Sequence, residues 1–168
     1  DFEGKIIKKL NEKEVIKVAK EIKKSGVETL AIVFLHSFKN ATHEKVAKKI
    51  IQKHIPGLNI CLSSTVSPEI GEYERTSTCV ANAYVQPIFK KYVNLLAKGI
   101  KKIGIEHDLF LMLSDGGIVH EKIAVEYPIR LVQSGPAGGA QAATLYGKIQ
   151  KISDVLCFDM GGTTAKAC

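Results

Sequence analysis

The feature that most constrains the fold is an alternation of helix-period and apolar segments over residues 11–62. Val15, Val18, Ala19 and Ile22 recur at three- and four-residue spacing, with lysines and glutamates opposite them. That pattern predicts an amphipathic helix over 11–24, capped by Asn11 and ended by Ser25-Gly26. The run from Leu30 to Leu35 then reads as a buried strand within 27–38. A second helix follows over 42–54, with Val46, Ala47, Ile50 and Ile51 inward, broken at Pro56-Gly57. Residues 58–62 form another short strand. Helix, strand, helix, strand at this spacing implies a βαβ arrangement over a parallel sheet, hence an α/β fold.

Residues 63–71, rich in Ser, Thr, Pro and Gly, mark a boundary, so the chain divides into 1–62 and 63–168. A long helix is expected from about 75 to 102, kinked or broken near Val85-Gln86 by Pro87. Its apolar stripe is Val80, Ala83, Tyr84, Ile88, Tyr92, Leu95, Leu96 and Ile100, with the tyrosines packed in the core. A strand over 108–113, a tight turn at Ser114-Asp115-Gly116-Gly117, a short helix over 123–127 and a short strand over 129–132 follow. Ser134-Gly135-Pro136-Ala137-Gly138-Gly139 opens a helix that runs to Lys148, with Ser134 as its cap. Its nearly bare first turn offers N–H groups and the positive end of the helix dipole to an anion. Close packing against a sheet explains the same small residues.

The apolar run Val155 to Phe158 predicts a buried strand that delivers Asp159 to its mouth. Gly161 and Gly162 are expected to turn with positive φ and leave the backbone open to a ligand. Amides there, with the Thr163 and Thr164 hydroxyls, suit phosphate oxygens, and Asp159 suits a metal ion. A hairpin turn with an acid at its corner fits the same residues.

The net charge is +7, but residues 1–62 hold 13 Lys against 7 acids and so carry six of it. Arg75 and Arg130 are the two arginines, where base readout and phosphate clamping favour arginine and interleaved aromatics. A solvated lysine face accounts for the charge, and specific nucleic-acid binding is not expected. No apolar run approaches the ~20 residues that cross a bilayer. Cys61, Cys79, Cys157 and Cys168 are widely spaced, which predicts reduced, mostly buried thiols in a cytoplasmic protein, with neither a zinc site nor a disulfide frame. His36, His43 and His54 share no ligand spacing.

Several ordered motifs resemble one family. Gly71-Glu72-Tyr73-Glu74-Arg75-Thr76-Ser77-Thr78, followed by Asn82-Ala83-Tyr84-Val85 and Pro87, is similar to the signature of the hydantoinase A/5-oxoprolinase family. Ser114-Asp115-Gly116-Gly117 resembles its Ser-Asn-Gly-Gly turn. Residues 134–139 resemble its Ser-Gly-Pro-Ala segment, and residues 159–164 its Asp-Met-Gly-Gly-Thr loop. The resemblance extends to Gly26–Ala31, Phe34–Phe38 and His43-Glu44, and so over nearly the whole chain.

The resemblance implies an actin-like, hexokinase-like (ribonuclease H-like) ATPase fold, its sheet flanked by helices. It implies an N-methylhydantoinase- or 5-oxoprolinase-type enzyme that uses ATP and Mg²⁺ to activate a cyclic amide for hydrolysis. A B-type subunit or fused domain is the implied partner. An acetone carboxylase-type subunit and a non-enzymatic actin-like nucleotide-binding module are the alternatives. Asp159 would serve the metal or the attacking group, and Gly161, Gly162, Thr163 and Thr164 the phosphates. Gly135, Gly138 and Gly139 would lie near the nucleotide, with Glu72 and Arg75 in substrate or hinge work. The family's first Asp-x-Gly-Gly-Thr loop is absent, so the chain is expected to be an internal segment, inactive by itself.

Overall fold

The computed structural model describes residues 1–168, which form two compact units, Asp1–Ile88 and Phe89–Cys168. In the first, α1 (Glu12–Ser25) starts where the Asn11 side chain accepts from the Lys13 amide at 3.2 Å. It ends where Gly26 turns left-handed at φ 69°. Strand β1 (Thr29–Ile32), helix α2 (Thr42–His54) and strand β2 (Asn59–Leu62) follow. The strands pair in parallel, Thr29 opposite Asn59 through Ile32 opposite Leu62, so α2 is the crossover of a βαβ unit. Ala19, Ile32, Ala47, Ile51, Leu58, Ile60 and Leu62 make the core, with Val15, Ile22 and Phe34 around it. Val18, expected inward, is exposed.

The strand expected over 27–38 is shorter than its apolar run. After Ile32 the chain enters turns, held by Ser37 N donating to Phe34 O at 3.3 Å and Lys39 N to His36 O at 3.0 Å. His36 itself sits left-handed at φ 56°. Residues Ser63–Val66 form the short helix α3 within the expected boundary.

Helix α4 (Glu72–Lys102) runs unbroken through Pro87, which leaves the kink of the expected kink or break, and the division between units falls between Ile88 and Phe89. Its covered residues are Arg75, Cys79, Asn82, Ala83 and Val93. Tyr84, Ile88, Tyr92 and Leu95 are exposed, contrary to the expected stripe. Apolar residues occur around much of this helix, so periodicity did not single out the covered side.

In the second unit, β3 (Phe110–Met112) and β4 (Ile118–His120) form an antiparallel hairpin. Its turn needs Gly116 at φ 85°, and Gly117 N donates to the Asp115 carboxylate at 2.8 Å. Helix α5 (Glu121–Glu126) leads to a 3-10 helix, Pro128–Leu131, where a strand was expected. Pro128 presets the helical φ, and Arg130 N closes onto Tyr127 O at 3.1 Å. Helix α6 (Ser134–Gln150) begins one residue earlier than expected. Gln133 is its cap position, and Ser134 is already helical and caps nothing. The chain closes with β5 (Phe158–Met160) paired antiparallel with β6 (Ala165–Ala167).

Candidate functional site

The β5–β6 hairpin carries Asp159, Gly161, Gly162, Thr163 and Thr164 together. Both strands are exposed, as are Leu156, Phe158 and Met160, so the strand expected to be buried lies open. An apolar run specifies a strand well, but it does not specify its cover. Gly161 to Thr164 form the loop, closed by Gly161 N donating to Thr164 O at 3.0 Å. Neither Gly161 nor Gly162 has positive φ, so the expected left-handed turn is not made. What the glycines supply is open backbone: no atom lies within 4 Å of a Cβ placed on either. Asp159 stands opposite Lys166 in the ladder. It is the single carboxylate offered there, and no group of three His, Cys, Asp or Glu side chains is gathered anywhere to hold a metal.

The bare start of α6 belongs to the same unit. No side chain caps its N-terminus. The Ser114 hydroxyl accepts the Gln133 amide at 2.9 Å, and Ser114 N donates to Arg130 O at 2.8 Å. The Ser-Asp-Gly-Gly turn therefore fixes the entry to α6. Gly138 is a close-packing position, whereas Gly139 leaves room for a side-chain carbon. A Cβ on Gly138 would meet Met112 Sδ at 3.1 Å, and one on Gly139 would lie 3.6 Å from Cys157 Sγ. Gly135 faces open space.

Glu72 and Arg75 belong to the first unit and form a different cluster. Arg75 is fully buried. Its Nε donates to Ser63 Oγ at 3.0 Å and its Nη2 to Phe34 O at 2.9 Å and to the Glu72 carboxylate. The guanidinium also lies 5.6 Å from the Phe38 ring centroid. With its donors used this way, Arg75 positions chain segments. Glu72 keeps 37% of its side chain exposed and is the member that can meet a ligand. Partial burial works against its charge. The His36 amide, donating at 3.0 Å, and the Arg75 guanidinium outweigh that and hold its carboxyl below the usual range.

Sequence reasoning missed the centre of this cluster, Glu44. It is fully buried on α2 and accepts from Phe34 N at 3.1 Å, Ser63 Oγ at 2.6 Å and Ser64 N at 3.0 Å. Ser37 and Ser63 place their hydroxyl oxygens 3.0 Å apart beside it. The signal was present: Glu44 stands three residues before Ala47 and seven before Ile51, on the apolar face.

Comparison with known proteins fits this arrangement. The hydantoinase/oxoprolinase family profile matches residues 75–168, and that of the family's N-terminal region matches residues 1–55. The chain belongs to the hydantoinase/oxoprolinase family. It is 44% identical, over 99% of its length, to an uncharacterised protein of Methanocaldococcus jannaschii, covering 25% of that protein. It is 37% identical over 95% of its length to 5-oxoprolinase of Saccharomyces cerevisiae, covering 12%. With caprolactamase subunit alpha of Pseudomonas jessenii it shares 32% identity over 82% of its length, covering 20%. The crystal structure of the ATP-dependent caprolactamase from that organism superposes at TM-score 0.89, 28% identical, over 98% of this chain and 24% of the other. Nucleotide-free acetone carboxylase superposes at 0.79, 25% identical, over the whole chain and 24% of the other. The mixed α/β architecture is compatible with the actin-like fold. The chain thus spans a quarter or less of these relatives. No helix is long and apolar enough to cross a membrane.

Proposed function

We propose that the chain is part of an ATP-dependent hydrolase of cyclic amides. The observation that carries this reading is the exposed β5–β6 hairpin, which presents the Asp159–Thr164 motif in a chain of this family. Gly162 and Thr163 spend their amides on no intramolecular acceptor, and the Thr163 and Thr164 hydroxyls stand beside them. These groups suit phosphate oxygens. Asp159 suits a Mg²⁺ ion, which takes one or two carboxylates and completes its shell with phosphate and water. One carboxylate at an open loop fits that demand.

ATP supplies a phosphoryl group that turns the amide oxygen into a leaving group, so that ring opening runs downhill. The chain's own part is to position phosphates and offset their charge. The Glu44–Ser63–Arg75 cluster fixes the segment that holds Glu72, whose exposed carboxylate faces substrate or a moving neighbour. Gly135, at the open start of α6, offers a further amide to the nucleotide, and Gly138 seats the helix. The expected partner is a B-type hydantoinase subunit or fused domain, in keeping with a relative that is itself a subunit alpha.

The test is ATP hydrolysis by the full-length protein with hydantoin, 5-oxoproline or caprolactam, with and without its partner subunit. Stimulation by one of these amides, with ring-opened product, is the expected result. Stimulation only by a ketone with bicarbonate would assign the carboxylase reading, to which the acetone carboxylase superposition is equally open. ATP turnover or binding indifferent to all of them would leave a nucleotide-binding module.

A further inference from the structure

Cys157 and Cys168 face each other across the base of the β5–β6 hairpin. Cys157 N donates to Cys168 O at 2.8 Å, and Cys168 N donates to Cys157 O at 3.0 Å. This reciprocal exchange defines a directly opposed, hydrogen-bonded antiparallel pair, whose side chains leave the same face of the ladder. Such pairs hold their Cα atoms about 5.5 Å apart, inside the ~4.4–6.8 Å window that a disulfide spans. The ladder continues the register, with Phe158 opposite Ala167 and Asp159 opposite Lys166. The two thiols therefore bracket the loop of Gly161, Gly162, Thr163 and Thr164.

We propose that Cys157 and Cys168 form a redox-active dithiol that closes reversibly into a cross-strand disulfide, its oxidant a low-molecular-weight disulfide such as glutathione disulfide. Cys168 is exposed and reacts first. Its thiolate attacks one sulfur of the oxidant, forming a mixed disulfide and expelling one glutathione thiolate, which takes up a proton. Cys157 then loses its proton, and its sulfur attacks the Cys168 sulfur. That bond closes the hairpin and expels the second glutathione, which is protonated in turn. Two protein thiols are oxidised and one small disulfide is reduced to two thiols. Exposed cross-strand bridges are the labile kind, open to reduction.

The other two cysteines are the internal contrast. Cys61 and Cys79 are buried. Burial pushes both thiols up, Cys79 to about 12 with the neighbouring Cys61 and Glu44 adding to it. Burial also closes both to a dissolved oxidant, whereas Cys168 is exposed and Cys157 partly so, and oxidation therefore falls on the hairpin pair. A closed bridge pins the base of the Asp159–Thr164 loop. The pairing itself rests on register alone and is independent of the proposed function.

The experiment is incubation of the native full-length protein with excess glutathione disulfide, then alkylation of free thiols and non-reducing tryptic mapping. Lys151 and Lys166 place Cys157 and Cys168 on separate peptides, so a bridge appears as a cross-linked pair. The expected result is that linked pair, lost on adding dithiothreitol, with Cys61 and Cys79 alkylated only after denaturation. Cys157→Ser should leave one stable glutathione adduct on Cys168. Two independent glutathione adducts in the unsubstituted protein, or two unmodified thiols, would overturn the proposal.

Discussion

Replacing Glu44 by Leu should loosen the first unit more than any change to the exposed hairpin. Leucine fills nearly the same space but accepts nothing. It strands the Phe34 and Ser64 amides and the Ser63 hydroxyl, which now lie 2.6–3.1 Å from the carboxylate. Ser63 Oγ, which also accepts from Arg75 Nε, loses the acceptor for its own proton. Summing three bonds to a charged acceptor would overcount, because the neighbours share the loss. Each buried donor left without an acceptor costs about 1–3 kcal/mol, and with that sharing the three together cost about 3–5 kcal/mol. Each ~1.4 kcal/mol is tenfold in an opening equilibrium, so opening should rise by two to three powers of ten, roughly. Native-state hydrogen exchange at the Phe34 and Ser64 amides and along β1 and β2 reads this directly. Glu44→Gln keeps one good acceptor and should show roughly half the effect in free energy. Exchange in Glu44→Leu within a factor of about three of the unsubstituted protein would refute the reasoning, since that is what a surface change does.

Gly147→Ala should destabilise the end of α6, because the new Cβ would lie 2.6 Å from Val155 Cγ2 and 3.1 Å from the Ile152 carbonyl. A cost of about 1–3 kcal/mol is expected, seen as faster proteolysis after Lys151. The Cys79 thiol should resist thiol reagents in the native state. Its pKa is raised from 9.0 to about 12, so the stability it lends is full below pH 9 and is lost as pH rises toward 12. An alkaline unfolding series with Cys79→Ala should show a shallower loss over that window. Glu72 has the opposite sign. Its lowered pKa lends stability that is present above its ordinary value of 4.5 and disappears as pH falls below it, so Glu72→Gln should flatten the acid limb of unfolding.

Local pattern carried the first unit well. The α1 and α2 spacings, with the Asn11 and Gly26 caps of α1, set the helices, and two short apolar runs left a parallel βαβ unit as the consistent topology. The buried polar cluster was harder to read because its partners are far apart in sequence. Arg75 reaches back to Phe34, and Glu44 reaches forward to Ser63 and Ser64. Glu44's place on an apolar helix face and the motif holding Glu72 and Arg75 were its signals. The segment 129–132 was misread because four apolar-rich residues fit a strand and a 3-10 turn equally, and Pro128 decides for the turn. Of the strand expected over Val155–Phe158 only Phe158 lies in β5, and neither its exposure nor the φ of Gly161 and Gly162 was foreseen. Apolar character cannot say what covers a strand, and glycine permits positive φ without requiring it.

The claim that matters most is that the Asp159–Thr164 loop handles nucleotide phosphate. Its most direct test is the steady-state ATP hydrolysis rate of the full-length protein carrying Asp159→Asn, with its amide substrate present. Within this chain Asp159 is exposed and its ladder neighbour is Lys166, and the melting temperature measured alongside separates lost chemistry from lost fold. Loss of one preorganised charge at a phosphoryl-transfer site predicts a fall in kcat of about a hundredfold or more. An unchanged melting temperature with kcat within about twofold of the unsubstituted protein would contradict the account.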